Sequence, residues 1–470
     1  MVVERRLSKQ YASLLLSLQT KRTVVLKHLS SSRKEEISFG RFLRNPRVTM
    51  ASILSEMTKN MREKVKDKSI LLIEDSTELS FGLRTQITGI GKVGTGIEDG
   101  FYSHPVIVLD ASSKHCYGLA HCHVYNQNHY DKDQGLDLKA RRRKIYHTPF
   151  EEKDSYRWLS SIIEAKKVYQ TAQSMTVIAD REGDIYEALE HFSGQLSIDF
   201  LIRMRVNRPI AHETAGKKIL DALAETTVKS SYALALPATN KRSAHRADLS
   251  VKWTEVSIKR PENKLLKAIS PTLKVTAIEV KEDPKSVVNN EKPIHWILLS
   301  SKPVSCFEEA YQMIQWYTWR WFIEQLFRLL KSQGLNMTAS TLTTYQSLSK
   351  LSLMALDAAV RVLQLLIARD SPVEAPVQTG FSEEEISILK QLSPTLEGKT
   401  DKLKNPCKDQ DLRFAIWVIA RLAGWSGYQK QPPPGPITLH RGLLRFRQLV
   451  EGFNLAKSIF QRTQKDVYIT

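Results

Sequence analysis

Apolar positions near the start of the chain recur at three- and four-residue spacing, at Leu7, Tyr11, Leu14, Leu15 and Leu18, which predicts helices over residues 1–66 with one packed face. Basic residues fill the other faces, at Arg5, Arg6, Lys9, Lys21, Arg22 and Lys27 and then Arg41, Arg44 and Arg47, which suggests a DNA-binding helical region against the blander reading of a solvated basic face. From about residue 69 the period changes. Ser69-Ile-Leu-Leu-Ile73 is a short apolar run ending in Glu74-Asp75-Ser76-Thr77, the pattern of a buried strand with acid at its carboxyl end. Pro105–Asp110 and Cys116–Val124, with the turn-like Ala111-Ser-Ser-Lys114 between them, predict a hairpin beside that strand. A helical stretch around Ser155–Gln173 leads into Met175-Thr-Val-Ile-Ala179, a second strand followed by acid in Asp180-Arg-Glu-Gly-Asp184. Short alternating segments such as Leu249–Val256 and Leu273–Val280 predict antiparallel strands in an all-β insertion over about 205–292. The main sheet then resumes at His295–Ser300, and a long helix follows from about Phe307 to Lys331. The rest reads as helical, broken at Gln431-Pro-Pro-Pro-Gly-Pro436. The pattern therefore divides into a helical region 1–66, an α/β domain 67–332 with its insertion, and a helical region 333–470.

Composition narrows the function. A 42% hydrophobic fraction in 470 residues is ample for a core and excludes a disordered or fibrous chain. Lys and Arg outnumber Asp and Glu by 69 to 50, and the excess is spread along the chain, which favours a polyanionic partner, nucleic acid first; an ordinary basic enzyme is the competing reading. The cysteines at 116, 122, 306 and 407 form no CxxC pair and no disulfide framework, so a reducing compartment suits them. His115, Cys116, His121, Cys122 and His123 invite a zinc reading. On a strand, however, His121 and His123 face opposite Cys122, and no spacing closes a four-ligand site. The apolar stretch Phe414–Ala420, flanked by Arg413 and Arg421, is far short of the ~20 residues that span a bilayer. No transmembrane helix, secretory peptide or membrane partner is expected, and the protein is placed in the cytoplasm.

Candidate chemistry concentrates in the helix around 307–331. Projected at about 100° per residue, Trp316, Trp319, Phe322, Ile323, Leu326, Phe327, Leu329 and Leu330 form one broad core face. Tyr317, Arg320, Glu324, Arg328 and Lys331 fall within an opposite arc of roughly 80°, with Trp321 at its edge. One carboxylate thus lies among groups able to grip phosphate; the bland reading is a solvated stripe with an Arg320–Glu324 pair. Asp75 and Asp180 follow strands at their carboxyl ends, where α/β sheets build sites, although such residues also serve as turn caps. If these two converge with Glu324, their hard oxygens suit two Mg²⁺ or Mn²⁺ ions about 3.5–4 Å apart, the arrangement for phosphoryl transfer.

The spacing Tyr317-x2-Arg320-x3-Glu324-x6-Lys331 resembles the YREK signature of bacterial cut-and-paste DDE transposases of the insertion-sequence-four family. Ile73-Glu-Asp-Ser-Thr77 and Ala179-Asp-Arg-Glu-Gly-Asp-Ile-Tyr186 resemble its two Asp segments, and Arg41–Pro46, Glu151–Trp158 and the helices of 413–460 extend the likeness over most of the chain. The resemblance implies a ribonuclease H-like mixed sheet with the insertion between the second Asp and the Glu. It implies that Asp75, Asp180 and Glu324 bind two Mg²⁺ or Mn²⁺ ions, nick the transposon end, form a hairpin and join the 3′ end to target DNA. Tyr317, Arg320 and Lys331 would hold phosphates, with Trp321 and Arg328 beside them. Trp296 would stack on a flipped base unless it is a core indole, and Arg203 and Arg205 would contact end DNA unless they are only a strand's solvent face. The partners implied are double-stranded DNA and a second copy of the chain, in a homodimer cleaving in trans, with Arg413–Gly424 the dimerisation candidate. Two competing functions are a catalytically silent DNA-binding relative that inhibits transposition, and a nuclease without strand transfer.

Overall fold

Eleven strands form a single mixed sheet in the computed structural model, which describes residues 5–59, 61–83, 86–126, 137–214, 216–236, 243–289, 291–331, 334–371, 373–428 and 431–467. They are β1 (Ser69–Glu74), β2 (Thr77–Ser80), β3 (Gly91–Val93), β4 (Glu98–Asp110), β5 (Cys116–Tyr125), β6 (Ser174–Ala179), β7 (Asp199–Arg203), β8 (Ser230–Leu236), β9 (His245–Lys259), β10 (Thr272–Glu282) and β11 (His295–Ser300). The principal order is β2-β4-β1-β6-β7-β11-β10-β9-β8, and β3 and β5 also pair with β4. The expected hairpin is present as antiparallel β4 and β5, and β4 runs antiparallel to β1. The strands β1, β6 and β7 are mutually parallel. Their near-continuous apolar runs follow from burial on both faces. Along β1, Leu71 and Ile73 enter one core while Ile70 and Leu72 enter the other, as the two-residue side-chain period requires.

Helices cover both faces. Arg157–Val168 and Tyr186–Ser193 pack on one side through Trp158, Ile162, Leu189 and Phe192. On the other side lies Tyr345–Arg369, whose faces are almost all buried against β5, the N-terminal helices and the helices Trp321–Leu330 and Leu412–Leu422. By length and composition this helix could cross a bilayer, but 83% of its apolar window is buried inside the protein. Buried Lys350 ties it to the N-terminal region: its ammonium donates to the Leu43 and Asn45 carbonyls at 3.0 and 2.9 Å, satisfying the end of the helix Arg33–Arg44.

Three local expectations are corrected. The insertion is not all β, because it holds the helix Ile219–Glu225; Ile219 and Leu223 share its buried face, and Asp221 accepts from the Lys218 N–H at its start. Nor is it set apart from the sheet: β11 pairs with both β7 and β10, so β8–β10 continue the same ladder. The long helix is two segments, Phe307–Trp319 and Trp321–Leu330, joined at Arg320. Arg320 N–H bonds the Tyr317 carbonyl and Ile323 N–H bonds that of Arg320, so a tight i→i+3 turn interrupts the α spacing.

Candidate active site

Strand register brings the first two acids together. β1 and β6 pair in parallel with Ile73 opposite Ile178, so the chain two residues further on sets Asp75 beside Asp180 at the carboxyl end of the sheet. The pairing of Ala179 with Ile202 in β7 puts Arg203 at the same level. Each acid is held by the backbone that follows it: Asp75 Oδ1 accepts from Ser76 N–H at 2.7 Å, and Asp180 Oδ1 accepts from Glu182 N–H at 2.8 Å. Asp180 thereby caps the short turn Arg181–Gly183. Glycine is required at 183 because a Cβ there would lie 2.7 Å from that of Ala179 and 3.3 Å from the Trp158 ring.

Glu324 reaches these acids through Arg320. The Arg320 guanidinium donates from Nη1 to Asp75 Oδ2 at 3.0 Å and from Nη2 to Glu324 Oε1 at 2.6 Å. The expected Arg320–Glu324 pair is therefore present, with a third member, Asp75, from the loop that follows β1. Burial first, then the neighbouring Asp180 charge, pushes the Asp75 carboxyl up to about 7; Glu324 adds to the rise, while Arg320 and the Ser76 N–H oppose it. All three carboxylates share one electrostatic neighbourhood, and the Arg320 guanidinium bridges two of them. Among the described residues, no group of three His, Cys, Asp or Glu is closed enough to hold a metal ion. The donor set nevertheless fits a hard divalent cation, since it is made wholly of carboxylates whose mutual repulsion a cation relieves.

Of the other residues singled out in the sequence, several gather nearby. Tyr317, expected on the polar arc, is instead 6% exposed, because that side of the helix meets the sheet: its ring packs edge-on to Trp296 at 5.6 Å. Arg203 donates to the His295 carbonyl at 3.3 Å, and its charge acts on the Tyr317 hydroxyl. Trp321 is 45% exposed, with the Arg328 guanidinium 5.1 Å from its ring centre. Two residues have other acids as their partners. Arg205 is exposed, and its N–H donates to Asp184, which also pairs with buried Arg208. Lys331, half-buried, faces Glu78 of β2, and burial lowers its ammonium below the usual lysine range.

Sequence reasoning missed a buried set behind Asp75. His104 of β4 lies 3.1 Å from Glu74 and, through Nδ1, 2.9 Å from Ser76 Oγ, and Arg157 Nε–H donates to the same hydroxyl at 3.0 Å. Burial pushes Glu74 well above the usual carboxylate range and His104 well below the usual imidazole range, so both directions favour a neutral pair. The only signals in the sequence were an acid preceding the candidate acid and a polar His104 entering an apolar strand.

No family model matches the chain.

Proposed function

We propose that this protein is a DDE-type DNA transposase that binds transposon ends, cleaves them by divalent-metal-dependent phosphoryl transfer through a hairpin, and joins the 3′ ends to target DNA. The observation that carries the reading is the register-driven meeting of Asp75 and Asp180, with Glu324 linked to Asp75 by Arg320. A ribonuclease H-like core is the finer fold we propose, supported by a mixed sheet in which antiparallel β5, β4 and β1 lead into parallel β6 and β7.

Asp75, Asp180 and Glu324 would hold Mg²⁺ or Mn²⁺, two ions per site. When bound, the pair supplies Lewis-acid activation of the attacking oxygen and charge stabilisation at the leaving one. Arg320 supplies the cation that lets two carboxylates lie side by side, and its planar donor fork suits a phosphate oxygen. The partly exposed Trp296, backed by buried Tyr317, and the exposed Trp321 beside Arg328 offer faces for unstacked bases, with cations for the backbone. The net charge of +19 favours DNA association, and we place the working form in the cytoplasm as a homodimer on DNA.

The test is incubation of the protein with a labelled duplex bearing the element's own end and Mg²⁺, comparing wild type with Glu324→Ala on a denaturing gel. A nick and hairpin from wild type alone are expected. Binding without cleavage by wild type, under conditions that activate a control transposase, moves the reading to a catalytically silent DNA-binding protein.

A further inference from the structure

We infer that Arg157 is a positioning residue that sets the separation of the first two acids by gripping both of the loops that carry them. The inference rests on the proposed acid site and concerns what holds it in shape. Arg157 opens the helix Arg157–Val168, and its side chain is 12% exposed. Each nitrogen of its guanidinium is engaged. Nε–H donates to Ser76 Oγ at 3.0 Å, Nη1 to the Asp154 carbonyl at 2.9 Å, and Nη2 to Glu182 Oε2 at 3.4 Å. The rings of Tyr125 and Trp158 lie 5.5 and 5.7 Å from its centre.

The partners are what give this geometry its meaning. Ser76 is the residue whose N–H holds Asp75, and Glu182 is the residue whose N–H holds Asp180. Both lie beyond the β1–β6 ladder, which ends at Ile73 and Ile178, so no inter-strand hydrogen bond fixes one loop against the other. Arg157 supplies that link from a third element. Its own footing is packed: Trp158, the next residue, lies edge-on to His104 at 4.7 Å and underlies Gly183, so the ring adjoins the second loop and the histidine that backs the first. Ser76 is further fixed from behind by buried His104. Two guanidiniums thus triangulate the site, Arg320 joining the first acid to the third and Arg157 joining the loops of the first and second. Groups that orient metal-binding residues in this way typically change metal affinity by roughly 10–100-fold when removed.

The experiment is a calorimetric titration of Mn²⁺ into the full chain, for wild type, Arg157→Ala, Arg157→Lys, Glu182→Ala and, as reference, Glu324→Gln. Arg157→Ala is expected to weaken Mn²⁺ binding roughly 10–100-fold. Arg157→Lys should recover part of this, because one ammonium reaches one loop but lacks the fork that spans both. Glu182→Ala keeps the backbone N–H on Asp180 and removes only a side chain that is 58% exposed, so it cannot act by unfolding the core. Weakened Mn²⁺ binding with an unchanged melting temperature in that variant supports the inference, as does unchanged DNA binding in EDTA. Wild-type Mn²⁺ affinity in both Arg157→Lys and Glu182→Ala overturns it. If Glu324→Gln abolishes binding while Arg157→Ala and Glu182→Ala titrate as wild type, the positioning role fails and the acid site stands. If Glu324→Gln leaves Mn²⁺ binding unchanged, both fall.

Discussion

Replacing Arg320 with methionine keeps much of the side chain's length and deletes the one cation that bridges two of the three acids. The guanidinium lies 3.0 Å from Asp75 and 2.6 Å from Glu324, and the three side chains are 13%, 17% and 29% exposed. Fully buried pairs cost about 3–5 kcal/mol when one partner is removed, and fully exposed pairs contribute about 1 kcal/mol or less. This intermediate burial places Arg320→Met at about 2–3 kcal/mol of lost stability, because Asp75 remains among like charges with only the Ser76 N–H to offset them. With an unfolding entropy that scales with chain length, about 1 °C per kcal/mol for 470 residues, the melting temperature in EDTA should fall by roughly 2–3 °C. A divalent ion should then do more for the variant than for wild type, where it competes with a guanidinium already in place. A site filled at 100 times its dissociation constant contributes about 2.7 kcal/mol, enough to return most of the loss. The assay is a pair of thermal melts, with EDTA and with Mg²⁺, for both proteins. A drop of the same size with and without Mg²⁺ would refute the reasoning, since the carboxylates would then not form a cation site.

Two further substitutions test the packing that supports the site. His440 is buried, neither ring nitrogen has a hydrogen-bond partner, and burial, with Arg22 nearby, holds its imidazole down at about 4. The unfolded chain, with an ordinary imidazole near 6.5, binds the proton first, so stability falls as pH drops below about 6.5; at pH 5 this is about 2 kcal/mol. His440→Leu should remove that part of the difference between denaturant melts at pH 8 and pH 5, and an unchanged difference would sink the assignment. Gly442 lies where the helix Pro436–Val467 crosses Leu412–Leu422, and a Cβ there would sit 1.9 Å from the Ile419 carbonyl oxygen. Gly442→Ala should therefore destabilise by about 1–3 kcal/mol despite alanine's better helix propensity, and a rise in melting temperature would contradict this close approach.

The legible part of this protein is its local periodicity. The apolar runs of β1 and β6 mark buried strands, and acids after them mark the end of the sheet where a site forms. The i,i+4 spacing of Arg320 and Glu324 on a helix makes their pair visible as well. What was illegible is non-local. Ser76 and Arg157 are 81 positions apart, and nothing in either segment marks the other as its partner. Tyr317 looked polar because helical projection ignores what stands opposite a helix; the end of β11, carrying Trp296, stands there. Lys331 shares the signature spacing yet faces Glu78, and the tight turn at Arg320 escaped a projection that assumes an unbroken α-helix.

By itself the sequence determined which residues alternate or recur at helical spacing, and hence which elements form and which acids end them, because burial of one face is a short-range demand on side-chain order. Only the tertiary structure decided that Asp75, Asp180 and Glu324 share one neighbourhood and that Arg320 and Arg157 hold them there. Those contacts depend on strand register and on how helices seat against the sheet, and both are fixed by packing among segments far apart in the chain.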